Sequence, residues 1–480
     1  MTWILAAKLP LTTLLSIAAI GGLFLLAWSY SNWRAAVKLA LVIALFEGAL
    51  RKWVWSGGGD LIYFLKDGVL LGAYFRFFMA PDPDIRAYRL DIPATAILIL
   101  CLVVAFPAIN PNIGSPILAI IGVKFYLYYI PLAFMTPYLF RTQQEMVRQL
   151  TWYAFLGIPI CALGFLQWRS DAFSVLNSYA AGAMEGGATG FGMGTNVRVT
   201  GTFSYITGHT TFVTFFAALY LALIAVKETP YKKILVGLAL PMLAANSFMG
   251  GSRGAVMSAC LTVIGFLLAS FSPTFTTSKN FKGILIAGGL LCVLGVTFFF
   301  SDAVQLWTTR RNTAGDNVAS RVITMPMDAL EQGFKEAGLT GYGIGLTHPG
   351  SAALRAALQI PAPKRKAPVF DTEPGQVFAE LGFIGFFAWY CLRFYFLAAL
   401  WQSLLRSPPG ILKTISLAAF IVYLPHMIMS VVLNHTASIL LWALVGLAFT
   451  CRLQPTVQRR FANPRARPGQ APLPLRGRRV

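Results

Sequence analysis

The chain is divided by apolar runs of about the length that crosses a bilayer, and no other feature restricts its folding as strongly. A hydrocarbon core of about 30 Å takes roughly 20 residues of helix. Backbone polar groups in that core must be satisfied internally, which leaves helices or a closed barrel. Thirteen such runs are bounded by charge, proline or glycine: Leu9 to Trp28, Ala35 to Leu50, Leu61 to Met79, Ile92 to Ile109, Gly114 to Phe140, Leu150 to Trp168, His209 to Val226, Ile234 to Met249, Gly254 to Phe271, Gly283 to Phe300, Gln376 to Leu400, Ile411 to Leu433 and Thr436 to Cys451. Only 12% of the 480 residues are charged and 56% are hydrophobic, whereas charged residues make up about a quarter of an ordinary soluble domain. The expected fold is an all-α polytopic membrane protein with about 12–14 transmembrane helices and a long, partly helical external loop. The first run is too long for a signal-peptide core and is read as a retained span.

Five regions follow: N-terminal transmembrane helices at 1–168, core helices at 169–300, a long external loop at 301–375, C-terminal helices at 376–451 and a basic tail at 452–480. Apolar spacing of three and four residues predicts helices in the loop over Val318 to Ala337 and Ser351 to Gln359.

Lys and Arg total 39 against 18 Asp and Glu, a formal charge of +21. In a membrane protein such an excess reports topology first, because Lys and Arg collect in cytoplasmic loops. A cytoplasmic C-terminus puts Arg34, Lys38, Arg141, Arg148, Lys232, Lys233, Arg406 and the tail, which has eight arginines and no acid, on one side. The charge then gives no reason to expect nucleic acid as a partner. The Pro- and Arg-rich tail is expected to be disordered and to touch anionic lipid headgroups. All six cysteines fall in or at the end of spans without paired spacing, so they read as small buried hydrophobes.

Four constellations are not explained by membrane insertion alone. Arg198-Val199-Thr200-Gly201-Thr202-Phe203 precedes the span opening at His209. Its guanidinium offers a planar fork for phosphate, with nearby backbone and hydroxyl donors for the same anion. Gly250-Gly251-Ser252-Arg253-Gly254 opens a helix on the same predicted face, where free N–H groups with Ser and Arg suit an anion. In the long loop, Gly341-Tyr342-Gly343-Ile344-Gly345 leads to Thr347-His348, and Asp371-Thr372-Glu373 follows. His348, Asp371 and Glu373 are alternative general bases there. The alternating glycines follow no strand, which sets aside a dinucleotide reading. Finally, Glu47, Arg51, Lys52, Lys66, Asp67 and Lys124 lie in or beside spans, where ionisable groups face a cavity or one another. Glu47 and Arg51 are spaced as a helical pair, whereas Lys66 and Asp67 are not. The single DxD, Asp82-Pro83-Asp84, lies on the opposite predicted side and reads as a solvated turn, so no metal site is assigned.

Taken together, Arg198-x-x-Gly-Thr-Phe, Ser252-Arg253-Gly254, the Gly-x-Gly stretch and Glu380-Leu-Gly-Phe-Ile-Gly385 resemble the O-antigen ligase and O-antigen polymerase superfamily over about 198–385. Glu47-Gly-Ala-Leu-Arg51-Lys-Trp53 with Lys66-Asp67 is similar to its exopolysaccharide polymerases. The resemblance implies a C-type glycosyltransferase fold in the bacterial inner membrane and a polyprenyl-diphosphate-linked glycan as donor. It further implies transfer on the periplasmic face with no metal or other cofactor, and other polysaccharide-assembly proteins as partners. It places Arg198, Arg253 and Ser252 at the donor diphosphate, with Arg310, Arg311 and Arg321 as secondary anion contacts. Arg51, Lys66, Asp67 and Lys124 then line the cavity. Where many members have His-Asn near the end of the loop this chain has Asp371-Thr372, so His348, Asp371 and Glu373 all stay candidates for the base. The expected reaction is polymerisation of lipid-linked repeat units. Ligation to lipid A core is the alternative, and transport of an anionic lipid is the competing class.

Overall fold

A computed structural model describes residues 11–54, 59–83, 85, 90–180, 197–272, 275, 278, 280–313, 320–368, 370 and 372–453. Among these the chain is 76% helical without strands. The principal helices are α1 (Leu11–Ser31), α2 (Trp33–Ala49), α3 (Gly59–Met79), α4 (Ala94–Ala105), α5 (Pro116–Leu127), α6 (Gln143–Phe155), α7 (Gly157–Arg169), α8 (Ile206–Ile224) and α9 (Leu240–Met249). They continue with α10 (Arg253–Ala269), α11 (Phe281–Phe299), α12 (Ser301–Thr313), α13 (Met325–Ala337), α14 (Pro349–Ala357), α15 (Glu373–Arg406), α16 (Ile411–Tyr423) and α17 (His435–Phe449).

Each of the thirteen apolar runs contains one of these helices, but fewer are full-length spans. Among the described residues six helices are long and apolar enough to cross a membrane, or seven if the bent pair Pro116–Leu127 and Leu132–Tyr138 counts as one. This supports a multi-pass membrane protein with a smaller set of complete spans than the sequence suggested. Proline accounts for part of the difference, since it removes a donor and clashes with the preceding turn. Helix α4 gives way to a 3-10 turn containing Pro107, α16 ends before Pro425, and the chain bends by 42° across the Pro131 break. Charge accounts for more: α3 carries Lys66, Asp67 and Arg76. The loop helices fall where the spacing placed them, at α13 and α14, and α12 adds another that the spacing did not indicate.

Burial orders the bundle. The apolar windows of α8 and α17 are 89% buried and form its centre, whereas that of α11 is 22% buried and faces outward. Lipid offers no hydrophobic drive for helix association, so small residues that admit close backbone approach matter most. Gly48 on α2 is one: a Cβ there would lie 2.2 Å from the Ser204 nitrogen. This contact seats the end of α2 directly on the 198–204 segment. A second close approach breaks α15, where Gly382 adopts φ 67° and ψ −172° and Gly341 has φ 68°. A Cβ on Gly382 would stand 2.3 Å from the Gly341 nitrogen, so the kink and the glycine-rich loop need each other.

The cysteines are free, and the expectation of burial holds for Cys161 and Cys451 but fails for Cys260, which is exposed on α10.

Candidate functional site

The two arginine motifs meet. Arg198 Nε donates to the Gly250 carbonyl at 3.2 Å, and Val199 N–H donates to Met249 O at 3.2 Å. The segment before α8 therefore runs alongside the turn that opens α10, with Arg198 and Arg253 both half-buried. Ser252 is the N-cap of α10, its Oγ accepting from Ala255 N–H at 3.4 Å. Its hydroxyl oxygen is used as a helix cap accepts, satisfying a first-turn donor.

The backbone donors expected beside Arg198 are not available to an anion. Gln167 Oε1 accepts from both Thr200 N–H and Gly201 N–H, at 3.2 and 2.7 Å, and Thr202 Oγ1 donates to Leu45 O at 2.5 Å. Gln167 is fully buried on α7 and so holds this turn in place from within the bundle. His209 Nε2 and Asn246 Oδ1, 3.3 Å apart, lie under the same junction. Neither Gln167, His209 nor Asn246 was singled out by sequence, because each is an isolated polar residue in an apolar run.

The N-terminal motif supplies two more cations. Lys52 Nζ donates to Thr200 Oγ1 at 2.7 Å and to Gly201 O at 3.1 Å, and Arg51 donates to Ser204 Oγ at 3.2 Å. Arg51 also lies over the Tyr63 ring at 5.3 Å. The expected Glu47 to Arg51 pair does not form, because Glu47 pairs with Lys66 instead. Asp67 pairs with Lys124 at 2.7 Å and accepts from Tyr129 at 2.5 Å. Lys66, Asp67 and Lys124 are thus cross-helix ties rather than exposed cavity charges. Among the described residues neither Arg51 nor Lys52 has a carboxylate within 4.0 Å, and Lys52 is buried. Lys52, one residue of a charged run in the sequence, thus contacts the 198–204 segment directly through two hydrogen bonds.

The glycine-rich loop is fixed by Glu380. Its carboxylate accepts from Tyr126 at 2.8 Å, Gly345 N–H at 2.9 Å, and Thr347 N–H and Oγ1 at 2.7 and 2.6 Å. Four donors on one buried carboxylate turn a charge into a loop anchor. His348 follows as the N-cap of α14, Nδ1 accepting from Gly350 N–H at 2.9 Å. That hydrogen bond puts the ring proton on Nε2, which is buried without a partner among the described residues. The ring stacks on Phe125 at 3.7 Å and faces His435 at 5.2 Å. Burial, aided by Lys124, lowers its pKa to about 3. With Nδ1 already accepting, His348 presents Nε2–H as a hydrogen-bond donor, an arrangement that favours positioning over the general-base role considered for it. Contacts from His435 to Tyr63, 5.0 Å between ring centroids, link it to Arg51 through two rings.

Glu373 is engaged within the bundle. It forms a buried ion pair with Arg393 at 2.5 Å and accepts from Val432 N–H at 2.9 Å and from Val431 N–H. Both side chains are at most 1% exposed, so this carboxylate holds the chain between α16 and α17 and is closed to substrate. Asp371 and the side chains of Arg310, Arg311 and Arg321 lie outside the described residues, as do Asp84 and the tail beyond Leu453. Asp82 is engaged by Arg34 at 3.0 Å, Arg76 at 2.6 Å and Trp33 at 3.1 Å. Partial burial opposes its ionisation, but the Trp33 hydrogen bond and the two guanidinium charges outweigh it and hold the carboxyl below its ordinary range. No group of three or more metal-ligating side chains occurs among the described residues.

Comparison with protein-family models gives no match, and comparison with curated proteins gives none either.

Proposed function

We propose that this chain is a glycosyltransferase that polymerises polyprenyl-diphosphate-linked oligosaccharide repeat units at the periplasmic face of a bacterial inner membrane. One observation carries the reading: Arg51 and Lys52 lie against the 198–204 segment with no carboxylate within 4.0 Å among the described residues, and that segment lies against the turn leading to Arg253. Cations at the edge of an apolar bundle are costly unless an anion compensates them. A diphosphate joined to a lipid suits such a place, its charge among the cations and its chain in the bilayer.

Transfer from a diphosphate breaks the bond between the anomeric carbon and the phosphate oxygen. Negative charge grows on the leaving group, and fixed cations in a partly dry site stabilise it more than water would. Arg198, Arg253, Arg51 and Lys52 take that role, while Gln167 and Ser252 hold the segments that carry them. His348 Nε2–H donates to a glycan hydroxyl. Of the three candidate bases, Asp371 retains the role. Among the described side chains, the pairs Glu47 with Lys66, Asp67 with Lys124 and Asp82 with Arg76 leave no unpaired charge on α3 or α5 for a transporter to use.

The test is purified protein with lipid-linked repeat units. Longer chains from repeat units alone, in the presence of EDTA, support the polymerase. Product only after addition of lipid A core makes it a ligase. Unchanged glycans in both arms refute the glycosyltransferase reading.

A further inference from the structure

A cavity lies away from the arginine motifs, at the end of the bundle that carries Arg34, Lys38, Arg141 and Arg148. It is a slot of about 340 Å³ between α2, α6, α8 and α17. Its walls are apolar, with Leu41, Leu150, Phe216, Leu440 and Leu444 among them, and polar atoms enter at one rim, where Lys38 and Gln149 stand. From Gln149 to Leu156 the wall descends seven residues, about 10 Å at 1.5 Å per residue.

The rim has a definite charge. Lys38 is offset by Glu145 at 3.3 Å, and Glu145 also accepts from Arg141 N–H at 2.9 Å. Arg141 follows Phe140 and Arg148 precedes Gln149, both of which line the slot, and both arginines are exposed. The segment flanking these lining residues therefore carries two arginines in excess of its acid, since Glu145 is already paired with Lys38. Trp152 lines the slot while 55% exposed, so one indole borders both the cavity and the bilayer.

We propose that this slot binds a phospholipid with an anionic headgroup, one acyl chain lying between α6 and α17 and the phosphate at Arg141 and Arg148. Apolar walls take the chain, and the basic rim selects the headgroup. A zwitterionic lipid presents its own cation to the same arginines and is disfavoured. The inference is independent of the glycosyltransferase reading, since it uses none of the residues assigned to the donor.

The experiment uses the full-length protein in nanodiscs and reads tryptophan quenching by lipids brominated in the acyl chain. The signal of Trp152 is isolated by subtracting the Trp152→Phe protein. Brominated phosphatidylglycerol is expected to reach half-maximal quenching at a lower mole fraction than brominated phosphatidylcholine, by about fivefold for each arginine. Arg141→Gln with Arg148→Gln is expected to abolish that preference while quenching persists. Ala443→Phe, which fills the slot, is expected to remove the preference for phosphatidylglycerol and leave only the quenching of the exposed Trp152 face by surrounding lipid. Because both arginines are exposed, their double variant decides the question even where Ala443→Phe does not fold. Equal quenching by the two lipids in the wild type, or a preference that survives the double variant, overturns the proposal. Stronger quenching by a brominated polyprenyl phosphate than by phosphatidylglycerol also overturns it, and names the donor lipid as occupant.

Discussion

Replacing Glu373 by Gln separates a structural carboxylate from a catalytic one. The side chain keeps its shape, and its amide oxygen still accepts from Val431 and Val432 N–H. What disappears is the charge opposite Arg393, which is at most 1% exposed and 2.5 Å away. Breaking a buried pair by removing one partner costs about 3–5 kcal/mol, because the other charge is left uncompensated. Here Arg393 retains the His426 carbonyl and lies over the rings of Trp389 and Tyr423 at 5.7 and 5.6 Å. Those contacts offset part of the loss and put the expected cost near the lower limit, about 3 kcal/mol or roughly 100-fold in the folding equilibrium. SDS titration of the detergent-solubilised protein measures this, with polymer length in cells as the functional readout. The double variant Glu373→Gln, Arg393→Met removes the stranded charge and should recover at least half of the lost stability, together with chain extension. If Glu373→Gln unfolds at the wild-type midpoint yet makes no polymer, the structural assignment is wrong and Glu373 is the base after all.

Arg198→Ala and Arg253→Ala should each reduce chain extension by about 100-fold or more, the loss typical of one donor to a developing oxyanion, with unaltered membrane insertion; normal polymer from both removes the donor-site assignment. Lys52→Met should weaken donor use without lowering the SDS midpoint, since it removes an uncompensated buried charge; a midpoint well below wild type would make Lys52 a structural tie. Gly382→Ala forces a side chain into a positive-φ kink 2.3 Å from backbone, and should destabilise by several kcal/mol; wild-type stability would show that α15 can straighten. His348 is neutral when folded, its pKa near 3 against about 6.5 unfolded. Its contribution to stability is therefore present above pH 6.5 and is lost as pH falls toward 3, because the unfolded chain binds the proton first. His348→Asn preserves an acceptor for Gly350 N–H and should reduce the acid slope of stability by up to about 1.4 kcal/mol per pH unit; an unchanged slope refutes the burial argument.

The helices were legible because an apolar run of bilayer length has few other ways to satisfy its backbone. How many of them are complete spans was less legible, since Pro107, Pro131 and Pro425 shorten or bend runs whose composition stays apolar throughout. In the site, glycine beside arginine marked both turns, and the structure puts those turns in contact. The roles of the neighbouring groups were hidden by partners distant in sequence. Thr200 and Gly201 offer good donors until Gln167, more than thirty residues earlier, accepts from them. Glu373 resembles a helix-terminal acid until Arg393, 20 residues later across the Gly382 kink, reaches it. Helical spacing favoured Arg51 for Glu47, but Lys66 from the next helix takes that carboxylate. Local pattern locates reactive residue types, whereas tertiary pairing decides which of them remain available.

That distinction bears on the chemistry. Glu47, Asp67, Asp82, Glu373 and Glu380 are each committed to a cation or to several hydrogen-bond donors. Among the described residues, the direct contacts of Arg51 and Lys52 are with hydroxyl and carbonyl oxygens and aromatic faces. These five acids are thus spent on structural ties, while cations remain beside the Arg198 turn. Such a site stabilises a departing anion well and removes a proton poorly. A transferase built this way should owe its rate chiefly to leaving-group stabilisation, and its rate should fall more on losing a cation than on losing any of the buried carboxylates whose structural loss is repaired by a second substitution.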